Sequence, residues 1–359
     1  MSKKWFSIFA VICCMMLVVC GCSANPADKV TQSSDSASSD VSSPEPEPIT
    51  YYNNLTGLYE LDSKEKEDCR PMAVMINNIT VAQKVQTGLG SASVVYETFA
   101  EGGITRLLAV FKDPSQIETL GSLRSARYSF IDLACGHDAI YVHAGLDPNY
   151  TKSRMSKLGL DNYDLNSGYG ADYNFRVKNG LAWEHTMFTN GELLNKAMTA
   201  GKRRTTVKDN YKSAWLNFAD VDTKIVPDGE IADKVSVFFS GSYITKFNYD
   251  AESGRYLKFN RDNPNIDEKT GKQYSYKNVL VLFTKVGMFD DNYRVYSEMK
   301  GGEGYYISNG KYVPILWEKG DTYNPLKIKA ADGSAITVNA GNTYVCITNV
   351  NNRSKTTIG

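Results

Sequence analysis

The chain has 359 residues, and its 40 Lys+Arg balance its 40 Asp+Glu to a formal net charge of zero. That balance excludes a general nucleic-acid binder, which needs a basic excess to neutralise phosphates. Twenty-three tyrosines suit half-buried strands, extracellular surfaces and carbohydrate stacking alike, so they do not choose among them.

Met1-Ser2-Lys3-Lys4 is a cationic start, and the run 5–20 that follows carries no charge. It suits a signal-peptide core better than a membrane span, which needs ~20 apolar residues. The run closes on Val19-Cys20-Gly21-Cys22. A cationic start, an apolar core and a small residue before cysteine together resemble the bacterial lipobox. Residues 1–21 are therefore expected to be a cleaved signal peptide. The resemblance implies that Cys22 is acylated and holds the chain on the extracytoplasmic face of the cell membrane. Diacylglycerol supplies the two chains that stable anchoring takes. Residues 22–49 read as a lipidated N-terminus and a leash. They are rich in Ser, Asp and Ala, end in a Pro-Glu repeat, and hold too little apolar surface to fold.

About 310 residues remain, comfortable for two domains. Residues 50–220 read as an α+β or α/β domain with a mixed sheet and packed helices. Met72–Ile76 is a short buried strand. Segments 93–101 and 104–111 flank Gly102-Gly103, a two-residue hairpin turn. A helix is expected over 122–135, with Ser122 as N-cap and Gly136 as its stop. A strand follows at 139–144, then helices at 151–158 and 191–200. Residues 221–359 read as a β-rich domain. Its strands are expected at 234–239, 244–249, 255–260, 279–285, 304–308, 311–317, 326–329, 335–338 and 343–348. Asn309-Gly310 and Asp332-Gly333 are the strong turns.

Three cysteines beyond Cys22 lie past the leash: Cys69, Cys135 and Cys346. They show no CxxC spacing, and an odd set cannot be a full disulfide framework, so Cys135 and Cys346 read as buried thiols. No His/Glu spacing matches a metal-ligand motif, and no P-loop, GxGxxG or GxSxG is present. No cofactor is expected.

One charged constellation stands out. Pairing Glu101 with Ile104 and Phe99 with Arg106 puts Glu97, Phe99, Glu101, Arg106 and Leu108 on one face of the hairpin. On the expected helix, Leu123, Ala126, Phe130, Leu133 and Ala134 form an apolar arc, with Ser125, Ser129 and Asp132 on the solvated side. Arg127 falls inside the arc and Arg124 on its margin. A buried arginine must find acceptors, and the hairpin carboxylates are the nearest. Arg124 in a first helical turn opposes the macrodipole, which favours an anion there. His143 and His185 stand at the rim, and His137 follows the helix stop. Two readings stay open, an anion-recognising site and a buried ion-pair network that docks helix to hairpin. A glycosidase pair is excluded, since residues i and i+4 on a strand lie ~13 Å apart against the ~5 to 9.5 Å that chemistry uses.

These stretches resemble the YerB-like lipoproteins, exported bacterial proteins of unknown function. The resemblance rests on the segments 70–78, 95–97, Glu101-Gly102-Gly103-Ile104-Thr105-Arg106, Arg124-Ser125-Ala126-Arg127 and 141–143. Later matches fall at 249–250 with Tyr256, at 278–279 and at 310–317. Val85 and Ser122 stand where the family pattern has proline, Thr186 where it has asparagine, and Tyr344 where it has tryptophan. The resemblance implies two domains, α/β-type then β-rich, and no known reaction. The expected function is a non-catalytic, tethered binding or scaffolding protein. Arg106, Arg124, Ser125, Arg127, His143 and His185 would meet an anionic small molecule, cell-wall component or envelope protein, with Glu97 and Glu101 orienting the arginines. The alternatives are an envelope hydrolase or transferase with a carboxylate or His143 as general base, and an interaction module acting through the β-rich domain.

Overall fold

Met-Ala-Val-Met-Ile at Met72–Ile76 is buried along its whole length. A strand without a polar face belongs inside a sheet covered on both sides. The computed structural model, which describes residues 50–359, places it there. The signal peptide, Cys22 and the leash lie outside the described residues.

The principal sheet has eleven strands. From one edge it runs Glu230–Ile231, Lys311–Glu318, Gly301–Ser308, Asn278–Thr284, Thr343–Asn349, Val94–Glu101, Ile104–Phe111, Met72–Ile76, Ile140–His143, Asn162–Asp164. Lys327–Ala330 pairs with Lys311–Glu318 off this path. Strands from both halves of the sequence thus share one ladder. The junction is Thr343–Asn349, which pairs in parallel with Asn278–Thr284 on one side and Val94–Glu101 on the other. A six-stranded antiparallel sheet, centred on Lys234–Phe238, Ile244–Asp250 and Arg255–Asn260, covers one face. The first half is α+β with a mixed sheet, and the second is strand-rich.

Side-chain alternation sorts the core into two layers. Val95, Phe99, Leu107, Val281 and Cys346 point toward the six-stranded sheet and meet Val237, Phe247 and Tyr256. Tyr96, Leu108, Leu282, Val345 and Ile347 point the other way and meet Phe130, Ile131 and Leu133 of the helix Tyr128–Cys135. Cys135 and Cys346 are buried free thiols and Cys69 is a partly exposed one.

Helices Thr151–Leu158 and Gly191–Ala200 form as their sequences predict. Asn309 and Gly310 both take positive φ, 49° and 78°, so this turn is the type I′ that matches strand twist. A Cβ on Gly310 would meet the Tyr249 ring at 2.9 Å. The expected strand at 335–338 reduces to isolated bridges, Ala335 to Lys329 and Val338 to Phe218.

The expected helix over 122–135 is half wrong. Helix begins only at Tyr128, with Arg127 as its N-cap residue. Leu120–Gly121 is strand, and the segment after it is extended. Its backbone is claimed from outside. Leu123 N–H donates to the Met187 carbonyl (2.8 Å), Arg124 N–H to Met75 (3.0 Å) and Ala126 N–H to Gly145 (2.9 Å). Those long-range partners outcompete local helix propensity. Arg124 therefore does not sit in a helical turn, and the macrodipole argument for it falls. The supposed solvated side is also covered. Ser129 is buried and its hydroxyl accepts the Ser297 N–H (2.8 Å), while Asp132 is buried against Arg154 (2.5 and 2.8 Å).

Candidate functional site

The hairpin turns at Gly102-Gly103 with Glu101 opposite Ile104. Its register then departs from the expected one. Phe99 pairs with Thr105 and Thr98 with Arg106, because Ala100 is an extra residue in the first strand. A distant loop holds this bulge in place: Gly102 N–H donates to the Tyr293 carbonyl (3.0 Å), and Glu101 bridges to Arg294. One inserted residue reverses which face the following side chains take. Glu97 consequently lies on the face of the six-stranded sheet and Glu101 on the face of the helix. The expected single row of carboxylates is split.

On the helix face, Glu101 and two arginines form a closed unit. Arg106 Nη2 donates to Glu101 Oε1 (2.9 Å) and its Nη1 to the Ser125 carbonyl (2.7 Å). Arg127 Nε donates to the same Oε1 (2.7 Å), its Nη2 also reaches it, and its Nη1 donates to the Ala126 carbonyl (2.8 Å). Ser125 thus contributes its carbonyl. Burial, then the neighbouring Arg127, pushes the Arg106 pKa down to about 9, with Glu101 pulling the other way.

Arg124 is the exception. Its Nη1 donates to the Glu184 carbonyl (3.1 Å), and Nη2 stands 3.8 Å from Glu184 Oε1. The Arg124 side chain keeps 23% of its exposure and that of Glu184 56%. Three guanidiniums gather here, two on the buried Glu101 and one beside the exposed Glu184.

Neither rim histidine is exposed. His143 is fully buried, with Nδ1 2.9 Å from the Gly145 carbonyl and Nε2 3.2 Å from Asn162 Oδ1. Both ring nitrogens face oxygens of the protein interior, so neither is open to a substrate. His185 is buried too. Its Nδ1 accepts from Asn77 Nδ2 (2.9 Å), and its Nε2 lies 4.0 Å from Glu184 Oε1, beside Arg124. His137 packs under Trp215 with Nε2 2.7 Å from Tyr96 Oη.

Burial lowers the pKa of all three histidines, His137 to about 3. The unfolded chain then binds protons that the folded one refuses. Stability should therefore fall as pH drops below the unfolded value near 6.5, each ring steepening the slope by up to ~1.4 kcal/mol per pH unit. Urea midpoints between pH 7 and pH 4 would read this. His137→Gln should flatten the curve, and an unchanged slope would contradict a neutral buried ring.

This arrangement has known relatives. Residues 55–204 match the profile described as "Protein of unknown function (DUF3048) N-terminal domain", and residues 235–345 match its C-terminal domain. The chain belongs to the DUF3048 family. "Putative lipoprotein YerB" of Bacillus subtilis (strain 168) is 29% identical over 302 residues, covering 82% of this chain and 85% of that protein. The crystal structure of the B. subtilis YerB protein superposes with a TM-score of 0.72 at 25% identity, covering 86% of this chain and 99% of that one. The expected YerB-like resemblance and the succession of α+β and β-rich regions hold. Among the described residues no helix is long and apolar enough to cross a membrane.

Within this DUF3048 chain, the C-terminal family domain supplies two of the four partners of Glu97, which sequence reasoning missed. Glu97 Oε2 accepts from Thr245 Oγ1 (2.7 Å) and Tyr344 Oη (2.6 Å), and Oε1 accepts from Asn78 Nδ2 (3.0 Å) and Thr105 Oγ1 (2.8 Å). Tyr344 is fully buried and spends its hydroxyl on this bond. Nearby Lys258 is 1% exposed and donates from Nζ to Asn260 Oδ1 (2.6 Å) and Asn265 Oδ1 (2.8 Å). Burial pushes its pKa down to about 8, against the pull of Glu97. The signal for Lys258 was present: Tyr256, Lys258 and Asn260 alternate inward along Arg255–Asn260.

Proposed function

We propose that this chain is a binding protein tethered by a lipid on Cys22 to the outer face of a bacterial membrane, where Arg124 recognises an anionic group. The tether rests on the lipobox at Cys22 and on the name of the B. subtilis relative. A lipid on Cys22 would keep the folded part close to the membrane surface. Its ligand is therefore an envelope component or a solute of the outside medium. We read residues 50–220 as the ligand-recognising part.

The observation that carries the site is the contrast between Arg124 and its neighbours. Arg106 and Arg127 are held by Glu101 and by backbone carbonyls, while Arg124 meets one carbonyl and a loose, exposed carboxylate. A partly open guanidinium beside two fixed ones suits bidentate recognition of a carboxylate or phosphate. Glu184 would act as a displaceable gate. The other groups support recognition over turnover. Glu97 and Glu101 are buried and hydrogen-bonded on opposite faces, and both nitrogens of His143 are engaged.

Arg124→Ala should melt like the parent yet lose binding to purified cell-wall muropeptides or to inorganic phosphate, at least tenfold by calorimetry. Unfolding of this variant would assign Arg124 to the structural network instead.

A further inference from the structure

Trp183 is 70% exposed, whereas Trp215 and Trp317, the other tryptophans among the described residues, are buried. It stands in the short turn Trp183–His185, flanked by the exposed Ala182 and Glu184. Two arginines grip this turn at consecutive carbonyls. Arg176 Nη1 donates to the Trp183 carbonyl (2.7 Å), and Arg124 Nη1 to the Glu184 carbonyl (3.1 Å). Arg176 also lays its guanidinium over the indole, with Cζ 4.0 Å from the ring centroid, and Thr186 Oγ1 (3.3 Å) helps to anchor it there. One face of the indole is thus covered by a fixed cation, which holds the ring in one orientation. At 70% exposure the opposite face is bare.

The surroundings of that bare face select its occupant. The loop's other apolar side chains, Val177 and Leu181, turn away and pack on Ala82, Val85 and Phe188. Trp183 is therefore a single apolar plate among the charges of Arg176, Glu184 and Arg124. A protein partner docks on a contiguous apolar core, which this loop does not offer. A pyranose fits it: its C–H face lies flat on the indole, and its hydroxyls meet the polar groups at the edge. Consecutive residues are ~3.8 Å apart along the backbone, so one disaccharide-sized ligand can touch both the plate and the Arg124 guanidinium. Both partners are accessible, since the Arg124 side chain keeps 23% of its exposure.

We propose that the ligand of the Arg124 rim is a saccharide bearing a carboxylate, with one sugar ring stacked on Trp183 and the carboxylate held by Arg124. This rests on the reading of Arg124 as the partner of an anion and adds the sugar to it. Glu184 gives way to the incoming carboxylate, being exposed and 3.8 Å from Arg124 Nη2. The Arg124 fork then takes the carboxylate through two N–H bonds.

The test titrates the mature chain with the disaccharide of N-acetylglucosamine and N-acetylmuramic acid, whose lactyl ether carries the carboxylate. Di-N-acetylchitobiose, which lacks the carboxylate, and inorganic phosphate, which lacks the sugar, are the comparisons. Because Trp215 and Trp317 are buried, Trp183 supplies the emission that acrylamide can quench. The acidic disaccharide should bind at least tenfold tighter than either comparison and shield Trp183 from acrylamide. Trp183→Ala should melt like the parent, bind the acidic disaccharide at least tenfold more weakly and bind phosphate unchanged. Trp183→Phe, which keeps an aromatic face, should recover part of the loss. If phosphate binding needs Arg124 but Trp183→Ala binds the acidic disaccharide like the parent, the sugar is overturned and the anion site stands. Equal binding of the two disaccharides, or parental binding of the acidic one by Arg124→Ala, would overturn the anion reading and this proposal with it. No saturable binding of the acidic disaccharide would overturn the proposal outright.

Discussion

Glu97→Ala should lower folding stability by about 4–5 kcal/mol, an exceptional value for one side chain. The carboxylate is fully buried between the sheets and accepts four neutral donors. Truncation orphans the Tyr344 and Thr245 hydroxyls at once, and each buried unsatisfied group costs ~1–3 kcal/mol. It also removes the Glu97 charge that holds up the Lys258 pKa, which should fall further below about 8. Glu97→Gln should be far milder, below about 2 kcal/mol, because the two hydroxyls on Oε2 can rotate to accept from an amide. Urea denaturation of the two variants makes the comparison. A loss under ~1 kcal/mol for alanine would mean that the sheets dock without this network.

Glu101→Ala should cost about 3–5 kcal/mol for a different reason. It strands two guanidiniums, and breaking a buried ion pair by removing one partner is more damaging than never having built it. Arg106 has nowhere to go, being buried and held at the Ser125 carbonyl. The loss should shrink when Arg127 is also alanine, and a double-mutant cycle should return a coupling above ~1 kcal/mol. Additive effects would show that water already screens the pair. The two glutamates are four residues apart and fail in separate layers, because the Ala100 bulge sends them to opposite faces.

That bulge marks where the sequence stopped being readable. Elements ruled by local chemistry were legible: Thr151–Leu158, Gly191–Ala200, Arg255–Asn260 and the turn at Asn309-Gly310. Elements ruled by distant partners were not. The bulge is fixed by Tyr293 and Arg294, and the extended course of 122–126 by the carbonyls of Met75, Met187 and Gly145. The arginine–glutamate grouping itself was visible from charge on apolar faces. Which arginine stays open was not, because that depends on Glu184 arriving from a separate loop. Lys258 was legible from period-two alternation.

The parallel strand Thr343–Asn349 governs the order of events in folding. It is the last long strand of the chain, yet it fills the middle of the large sheet. A polypeptide emerging N-terminus first has Val94–Glu101 waiting with one flank unpaired until the final segment arrives. Such a delay slows folding and leaves a sticky β-edge exposed in the interval. The first half cannot lock into its finished form early, and a chain stopped short of residue 343 would leave two open edges and a Glu97 without Tyr344. Completion of the fold is in effect a check that the whole chain has been delivered.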